Sequence, residues 1–372
     1  MRYLFINSVY GIRSTGKLIA KQCGQLKAAG HSCAVGYGRQ ASADGQADLI
    51  RIGSDTTSRV HAGLSRLADC QGKLSAGATR RFLKEAERFS PDVVWMHNLH
   101  GYYLNYEVFF AWLKARPDIK KCWTLHDCWA FTGHCAYFTY AKCDGWKRGC
   151  GHCPQKKAYP ASFGLDRSRQ NYTDKKAAFQ GVQNLIIITP SHWLADLVQE
   201  SFLGEYPVKV AHNEIDRQIF RPRPGDFRQR MGLEDKKILL GVAVGWEETK
   251  GLSDILRLRT MLDDSYVIVL VGASERQIRS FPPGVIGLPR VDGQEALAEI
   301  YTAADVLINP THQDNYPTVN LEARACGTPV VTYDVGGSPE SAGYEYIVQE
   351  GNLDQLRETV IRAAGEKNKE KY

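Results

Sequence analysis

Two carboxylates and a lysine stand just after predicted strands in the second half of the chain. Asp314 and Glu322 are eight residues apart, and Lys250 follows an earlier apolar run. Residues at the carboxyl ends of parallel strands line the crevice in which open α/β sheets bind ligands. A helix predicted to begin near Pro317–Thr318 would offer its N–H groups to a phosphate, while Lys250 would reach a pyrophosphate and Glu322 would accept hydrogen bonds from vicinal hydroxyls. The alternative is that Asp314 caps a turn and Glu322 is a solvated helix residue.

Three histidines occupy comparable positions in the first half of the chain. His97, His100 and His126 each lie at or just beyond the end of a predicted strand. A single histidine is usually a structural residue, but three at one rim of a cleft are a stronger signal of function. In the loop after the first predicted strand, Gly11 and Gly16 would let the backbone approach a ligand closely.

Six of the ten cysteines lie between residues 122 and 153. Four of these form the pattern C-x7-C-x6-C-x2-C, in which the last pair has the spacing of two thiolates on one tetrahedral zinc ion. We expect a structural zinc site, with free thiols and disulfides as alternatives, and with His134 and His152 as competing ligands. The expected zinc ligands are Cys135, Cys143, Cys150 and Cys153. The cysteines predicted to be small buried hydrophobic residues are Cys23, Cys33, Cys70 and Cys326.

Strands and helices alternate along most of the chain, which predicts an α/β protein with parallel sheets covered on both faces. A polar segment rich in Pro and Gly interrupts the alternation at 213–236 and predicts a linker with one short helix. We therefore expect two doubly wound domains, 1–212 and 237–372, with a cysteine-rich insertion at about 128–160 in the first. Predicted strands cover 2–9, 32–37, 92–97, 122–126, 185–189, 208–211, 238–244, 266–271, 285–288, 306–309 and 329–333.

Composition excludes several classes of protein. The 372 residues are 43% hydrophobic and 24% charged, which is ordinary for a globular protein. No apolar run approaches the ~20 residues of a membrane span, and the first ten residues lack the apolar region of a signal peptide, so a cytoplasmic protein is expected.

The positive charge is concentrated in one stretch. Residues 142–176 contain nine basic and three acidic residues, and this difference of six equals the net charge of the chain, +6. This stretch is either a solvated surface or a site for a phosphate-bearing acceptor or an anionic membrane.

Taken together, the motifs resemble the retaining, nucleotide-sugar-dependent glycosyltransferases of family 4, also called group 1. Residues 310–340 are similar to that family's E-x7-E motif and the following G-x-P-V-V…G-G-x-x-E segment, with Asp314 in the first acidic position. Residues 212–222 resemble its N-G-I-D-x4-F-x-P linker, with Glu214 where glycine is usual. Residues 189–193 match its T-P-S-x-W element.

The middle of the chain narrows the resemblance. Residues 123–154, with the sequence TLHDCW…TGHC…GWKRGC…CP, are similar to the subgroup that builds bacterial exopolysaccharides, including colanic-acid-type enzymes. The resemblance implies the GT-B fold, in which two Rossmann-like domains face each other across a cleft. It also implies cytoplasmic enzymes, peripheral at the inner face of the cell membrane, in exopolysaccharide or lipopolysaccharide biosynthesis.

The resemblance also implies roles for individual residues. His126, Asp314 and Lys250 would be catalytic. In many relatives an arginine lies a few residues before the lysine, but residues 246–249 contain none. The donor would be bound by Gly16, Asn315, Tyr316, Pro317, Thr318 and Glu322.

The implied reaction transfers a sugar from a UDP- or GDP-sugar, with retention of anomeric configuration and without a catalytic metal, to a glycan or a polyprenyl-diphosphate-linked oligosaccharide. Two other functions remain open. A GT-B epimerase or hydrolase would use the same donor site with water. A zinc-ribbon nucleic-acid-binding protein would use the basic stretch, although the modest net charge argues against nucleic acid as a partner. A dinucleotide-dependent dehydrogenase is less compatible, because the first loop lacks G-x-G-x-x-G.

Overall fold

The computed structural model describes residues 1–369 and divides the chain into two compact units, Met1–Ala211 and His212–Tyr372. We call these the amino-terminal and carboxy-terminal units. Residues 370–372, which the sequence-based division assigns to the second domain, lie outside the described residues. No helix within 1–369 is long and apolar enough to cross a membrane.

The amino-terminal unit is built around a parallel sheet of seven strands in the order β3-β2-β1-β4-β5-β6-β7. Its strands are short runs of apolar residues, and Leu4, Phe5 and Ile6 in the central strand are completely buried. Because both faces are covered by helices, the strands are apolar on both sides rather than alternating. The strands are β1 (Arg2–Tyr10), β2 (Ser32–Ala41), β3 (Asp48–Arg51), β4 (Val93–Met96), β5 (Lys120–Thr124), β6 (Leu185–Thr189) and β7 (Val208–Val210). The helices are α1 (Arg13–Ala28), α2 (Asp55–Ala68), α3 (Ala76–Phe89), α4 (Tyr106–Lys114), α5 (Ser168–Phe179) and α6 (His192–Glu200).

The carboxy-terminal unit is a second parallel sheet, of six strands, in the order β10-β9-β8-β11-β12-β13. Two of its inner strands carry the completely buried core residues Leu239, Leu240 and Ile268. The strands are β8 (Lys237–Val242), β9 (Tyr266–Val271), β10 (Val285–Leu288), β11 (Val306–Asn309), β12 (Val330–Tyr333) and β13 (Tyr346–Val348). The helices are α7 (Phe227–Met231), α8 (Leu252–Thr260), α9 (Glu275–Ser280), α10 (Gln294–Ala303), α11 (Thr318–Ala325), α12 (Ser338–Ala342) and α13 (Leu353–Lys369).

The predicted α/β class with two doubly wound, Rossmann-like sheets is confirmed. The residues predicted as a linker, 213–236, belong to the carboxy-terminal unit, where Phe220 and Phe227 are buried in its core. The segment 128–160 contains only two 3₁₀ turns, Trp129–Phe131 and Gly145–Lys147, in place of regular strands or helices.

Candidate functional site

The order of the second sheet defines where its ligand site should lie. Counted from β8, the strands run 3-2-1-4-5-6, so the chain leaves β8 toward one edge of the sheet and β11 toward the other. Open α/β sheets bind ligands at this switch point, outside the carboxyl ends of the two strands. Lys250 follows β8 and Asp314 follows β11, so both belong to the loops that flank the switch point.

Lys250 and Asp314 meet in an ion pair. The Nζ atom of Lys250 lies 2.7 Å from Oδ2 of Asp314, and 36% of the lysine side chain and 19% of the aspartate side chain are exposed. The other oxygen of Asp314, Oδ1, accepts a hydrogen bond from the backbone N–H of Asn315 at 2.9 Å. The carboxylate therefore contacts the next residue of its own loop and also holds the ammonium group at the switch point.

Two glycines bring the backbones of these loops together. Gly251 has φ +73°, and a Cβ atom there would lie 2.1 Å from the carbonyl oxygen of Pro310. Gly336 has φ +61°, and a Cβ atom there would lie 2.0 Å from the carbonyl oxygen of Asp314. Only glycine satisfies both the positive φ and the close approach. The loops after β8, β11 and β12 are thus packed against each other around Asp314.

The start of α11 lies at the same edge of the sheet. The helix begins at Thr318 as the sequence predicts, and its N-cap, Pro317, provides no side-chain cap. The N–H groups of the first turn and the helix dipole therefore favour an anion at this end. Tyr316 precedes the helix and stacks on His212, with ring centroids 4.8 Å apart and an angle of 12° between the planes. Asn213 donates a hydrogen bond to the carbonyl oxygen of Tyr316 at 3.3 Å.

Glu322 lies in the second turn of α11 and is half-buried. Its Oε2 atom accepts a hydrogen bond from the hydroxyl of Tyr301 at 2.9 Å. Burial raises the pKa of the Glu322 carboxyl, and hydrogen bonds from Tyr301 and Thr318 oppose that rise. A carboxylate that is held by a buried tyrosine is fixed in direction, which is the property that a hydroxyl-binding acceptor needs.

The structure adds a residue at this edge for which the sequence analysis assigned no role. His312 lies two residues before Asp314, with its Nδ1 atom 2.8 Å from Glu350 and its Nε2 atom 3.2 Å from Asp254. Tyr333 donates to the same carboxylate of Asp254 at 2.8 Å. These contacts tie the loop after β11 to α8, β12 and the turn after β13. In the sequence, only its position just after a predicted strand could have marked His312 as a site residue, because its partners are distant in sequence.

Asn320 was likewise missed. Its side chain is completely buried, donates to Ser338 and Ser341 of α12 and accepts from Asn309 at the end of β11. It fixes the start of α11 against its neighbours, so the direction of the helix depends on a polar contact that periodicity does not reveal.

The amino-terminal unit has its own switch point, between β1 and β4. The loop after β1 turns back on itself through a hydrogen bond from the N–H of Gly11 to the carbonyl of Gly16, at 3.0 Å. A Cβ atom on Gly16 would lie 3.2 Å from both the nitrogen of Gly11 and the side chain of Val9. Gly16 thus lies in the first turn of α1 and permits a compact loop there.

The predicted histidines come together at the carboxyl ends of β4 and β5. Nδ1 of His97 lies 3.0 Å from Nε2 of His126, and the two rings stack with centroids 5.3 Å apart. His100 bridges Asp127, with Nε2 2.9 Å from its carboxylate, and the hydroxyl of Tyr159, which is 2.9 Å from Nδ1. Asp127 and Tyr159 are the partners that sequence reasoning missed.

The electrostatics of this cluster favour neutral imidazoles. Burial lowers the pKa of His126 to about 4, with Asp127 opposing the shift and His100 adding to it. Burial, and then the neighbouring His126, place the pKa of His97 well below its usual value. Burial would raise the pKa of Asp127, but its contacts with His100 and with the N–H of Trp129 lower it overall. At neutral pH the rings of His97 and His126 are therefore uncharged, and Asp127 is a carboxylate.

The four cysteines predicted to bind zinc line one small cavity in the segment 128–160, together with His134. Their sulfur atoms are not gathered into a coordination sphere: within residues 1–369, no three of these thiols have sulfur atoms that all lie within 4.8 Å of one another. The zinc site therefore stays a prediction. The other four cysteines named above, Cys23, Cys33, Cys70 and Cys326, are buried, as expected.

The basic stretch 142–176 is only partly a free surface. Lys175 is 2% exposed, and its ammonium group donates to the carbonyls of Trp129 and Thr132. Lys147 pairs with Glu200, and Arg148 pairs with Asp144. The excess positive charge of this stretch at the surface is therefore smaller than the sequence suggests.

Comparison with known proteins gives the context for these sites. Residues 236–366 match the family described as Glycosyl transferases group 1. A glycosyl transferase named for colanic acid biosynthesis, WcaC of Escherichia coli strain K12, is 29% identical over 285 residues, which cover 73% of this chain and 66% of that protein. A D-inositol 3-phosphate glycosyltransferase of Mycolicibacterium gilvum is 27% identical over 41% of this chain and 38% of its own length. This chain thus spans less than two thirds of either relative.

Solved structures share the fold over nearly the whole chain. The sucrose-phosphate synthase of Thermosynechococcus elongatus has a TM-score of 0.68 at 16% identity, covering 99% of this chain and 90% of that one. WaaG, described as a glycosyltransferase involved in lipopolysaccharide biosynthesis, has a TM-score of 0.64 at 17% identity, with coverage of 98% and 90%. HepE of Anabaena, solved in complex with UDP, has a TM-score of 0.64 at 14% identity, with coverage of 99% and 91%. The resemblance inferred from the motifs is thereby confirmed: this chain is similar to the group 1 glycosyltransferases of the GT-B fold, including a relative named for colanic acid biosynthesis.

Proposed function

We propose that this protein is a retaining glycosyltransferase that moves a sugar from a nucleotide-sugar donor to a hydroxyl of a glycan or a lipid-linked oligosaccharide. The observation that carries the proposal is the ion pair between Lys250 and Asp314 at the switch point of the second sheet, beside the start of α11. A cation and an uncapped helix start at one sheet edge suit a diphosphate, and a fixed carboxylate at Glu322 suits the ribose hydroxyls.

The chemistry assigns a task to each group. The bond between the anomeric carbon and the diphosphate breaks, its electron pair stays on the phosphate oxygen, and the transition state has oxocarbenium character. Lys250 and the N–H groups of Tyr316 and Thr318 stabilise the charge that grows on the leaving diphosphate. The acceptor oxygen attacks the same face and its proton passes to the leaving phosphate. His126, uncharged at neutral pH, hydrogen-bonds to the donor sugar, and Gly16 lets the first loop approach the phosphates.

Nucleotide binding tests the donor site first. A thermal-shift series with UDP, GDP and ADP, each at the same concentration, should give a strong rise in melting temperature with one base only, because a ligand that binds the native state stabilises it by mass action. UDP is the first choice, since HepE was solved in complex with it. If none of the three raises the melting temperature, the diphosphate site is refuted.

Turnover distinguishes transfer from the hydrolase alternative. The purified protein is incubated with UDP- and GDP-sugars, with and without polyprenyl-diphosphate-linked oligosaccharides, and release of nucleoside diphosphate is measured. A transferase releases it at least tenfold faster when the acceptor is present, and the new linkage has the anomeric configuration of the donor. Equal release without acceptor would make the protein a hydrolase or an epimerase.

An anionic membrane surface is proposed as the place of the reaction, because the apolar face of α2 points outward. Val60, Leu64 and Leu67 are spaced i, i+4, i+7, so they share one helix face, yet they are 55%, 48% and 63% exposed. The buried residues of this helix are instead His61 and Ser65. A helix that buries its polar side and exposes its apolar side has the amphipathicity of an interfacial helix.

A second segment extends this face. The N–H groups of Phe163 and Leu165 donate to the carbonyls at the end of α2, at 2.7 and 2.9 Å, and both side chains are mostly exposed, at 66% and 59%. Gly164 between them packs so closely that a Cβ atom would lie 2.1 Å from the carbonyl oxygen of Leu67. Arg59, Arg66 and Arg167 are exposed around these side chains, so the charge complements anionic headgroups.

Vesicle flotation tests this surface. The protein should float with vesicles that contain phosphatidylglycerol and not with pure phosphatidylcholine, and the double variant Leu64→Glu/Leu67→Glu should lose the association. Val244→Glu is the control, since Val244 is also an exposed apolar residue but lies in the other unit. Unchanged flotation of the double variant, or self-association that this variant abolishes in the absence of lipid, would contradict the proposal.

A further inference from the structure

His134 is buried in the cysteine-rich segment, and only one side of its ring has a partner. Its Nδ1 atom lies 2.6 Å from Oδ1 of Asp69, and the two side chains are 0% and 3% exposed. Its Nε2 atom is buried and has no hydrogen-bond partner among the described residues. If Asp69 accepts the proton on Nδ1, Nε2 carries a lone pair that faces neither water nor a donor. A buried polar atom of this kind calls for an explanation, and a bound ion is one that its chemistry allows.

The surroundings of His134 supply soft ligands. His134 lines the same cavity, of about 20 Å³, as the four cysteines, and such a volume admits one water-sized body. The N–H of Gly133 donates to Sγ of Cys150 at 3.1 Å, and the N–H of Gly145 donates to Sγ of Cys143 at 3.4 Å. Hydrogen bonds of this kind strengthen when the sulfur is a thiolate, because the acceptor is then charged.

A buried cation lies beside the cluster. Lys175 reaches from α5 across the ring face of Trp129, 3.6 Å from the ring centroid, and donates to two backbone carbonyls. A zinc ion with one neutral imidazole and three thiolates carries one net negative charge. Protonated Lys175 would offset this charge, and the carboxylate of Asp69 is compensated by its contacts with His134 and with the N–H of Arg167.

We propose that His134 and three of the four clustered cysteines bind a structural zinc ion, with Asp69 orienting the imidazole. A carboxylate that accepts the second N–H of a ligating histidine is the usual outer partner of zinc. Bonds of about 2.3 Å in a tetrahedron place the sulfur atoms ~3.8 Å apart, so the side chains must close in around the ion. The protons of the three thiols pass to solvent on binding.

The ion would stabilise the segment that carries Tyr159, whose hydroxyl contacts His100 at the carboxyl ends of β4 and β5. The role is structural: the ion fixes this loop and takes no part in the transfer of the sugar. The proposal stands or falls independently of the proposed function, since its measurements do not involve turnover.

Metal analysis of the full-length protein, purified under reducing conditions, should find about one equivalent of zinc, and a strong chelator should lower the melting temperature. Replacement of zinc by Co²⁺ should give a tetrahedral absorption spectrum whose thiolate charge-transfer band corresponds to three sulfur ligands. His134→Ala should lose the metal, while His152→Ala and Cys122→Ser, the matched controls in the same unit, should retain it. Asp69→Asn should weaken zinc binding by about 10- to 100-fold.

Two results would overturn the proposal. One is less than about 0.2 equivalents of metal in freshly reduced protein together with a melting temperature that the chelator does not change. The other is a Co²⁺ spectrum of four thiolates combined with wild-type metal content in His134→Ala. Because both rest on the wild-type protein or on metal content, a variant that fails to fold does not decide the question.

Discussion

The ion pair of Lys250 and Asp314 leads to a specific prediction: replacing Lys250 should weaken the binding of the nucleoside diphosphate. Replacing Lys250 by methionine removes a charge-assisted hydrogen bond to the diphosphate, which contributes about 1.5–3 kcal/mol. At 1.4 kcal/mol per factor of ten, the dissociation constant of the nucleoside diphosphate should rise by about 10- to 100-fold. More than a third of the lysine side chain is exposed, so solvent screening favours the lower part of this range.

The variant also leaves Asp314 without its cation, and the free carboxylate repels the incoming diphosphate. The double variant Lys250→Met/Asp314→Asn should therefore bind the nucleotide more tightly than Lys250→Met alone, by about 1 kcal/mol or roughly fivefold. Titration calorimetry with the nucleotide that gives the largest thermal shift measures both steps. Lys236→Met is the matched control, because Lys236 precedes β8 at the opposite end of the strand, and its ammonium group donates to the carbonyl oxygen of Asp264.

The result that would refute this reasoning is a double variant no tighter than Lys250→Met. In that case, removing the charge of Asp314 would change the binding free energy of the Lys250→Met variant by less than about 0.5 kcal/mol. The carboxylate would then not repel the diphosphate. A dissociation constant for Lys250→Met within twofold of the wild type would remove the donor site altogether.

Three further changes test the rest of the site. Glu322→Ala should lower transfer at least tenfold with an unchanged circular dichroism spectrum, mainly through KM for the donor; an unchanged KM would contradict ribose binding. Because burial holds the pKa of His126 at about 4, kcat/KM between pH 5.5 and 8 should show no step that His126→Gln removes; loss of such a step in the variant would show that the ring titrates in this range. Burial also lowers the pKa of His61 to about 4, below its unfolded value of about 6.5, so the neutral ring stabilises the fold above pH 6.5 and this stability is lost as the pH falls toward 4. Between pH 7 and pH 5 the wild type should lose about 2 kcal/mol more unfolding free energy in urea than His61→Gln, and equal losses would contradict the shift.

The sequence predicted most strands of both sheets and missed several helices, including α3 and α13, which bury apolar residues, and α5 and α2, which do not follow the usual pattern. The strands at 185–189 and 306–309 have the predicted bounds, because each is a short continuous apolar run. Helix α5 was not predicted, since its buried residues include Ser168, Asn171 and Lys175, which show no hydrophobic period. Helix α2 was also not predicted, although Val60, Leu64 and Leu67 have helical spacing; these residues face outward, so the spacing does not mark a core face. Periodicity indicates a core face only when the core is apolar and the exposed face is not.

The candidate site was likewise predictable only in part from the sequence. Strand ends are predictable, so Lys250, Asp314 and the histidines could be placed at the correct edge from the sequence. Their partners could not, because contacts such as His100 with Tyr159, 59 residues apart, depend on the path of an irregular segment. The same holds for Asp69 and His134, which are 65 residues apart.

The absence of an arginine before Lys250 has a structural reason that sharpens the first prediction. Trp246 occupies this stretch and is buried, with its indole N–H donating to the carbonyl of Val271 at 3.0 Å. A Cβ atom on Gly241 of β8 would lie 2.7 Å from its ring, so the tryptophan fills space against the strand itself. Trp246 therefore packs against the core, and the exposed residues that follow it, Glu247 and Glu248, are acidic, so residues 246–249 offer no cation. In the proposed donor site, the diphosphate is bound by Lys250 and the first turn of α11 without a second cation from this loop, so we expect Lys250→Met to weaken binding more here than in relatives that retain the arginine.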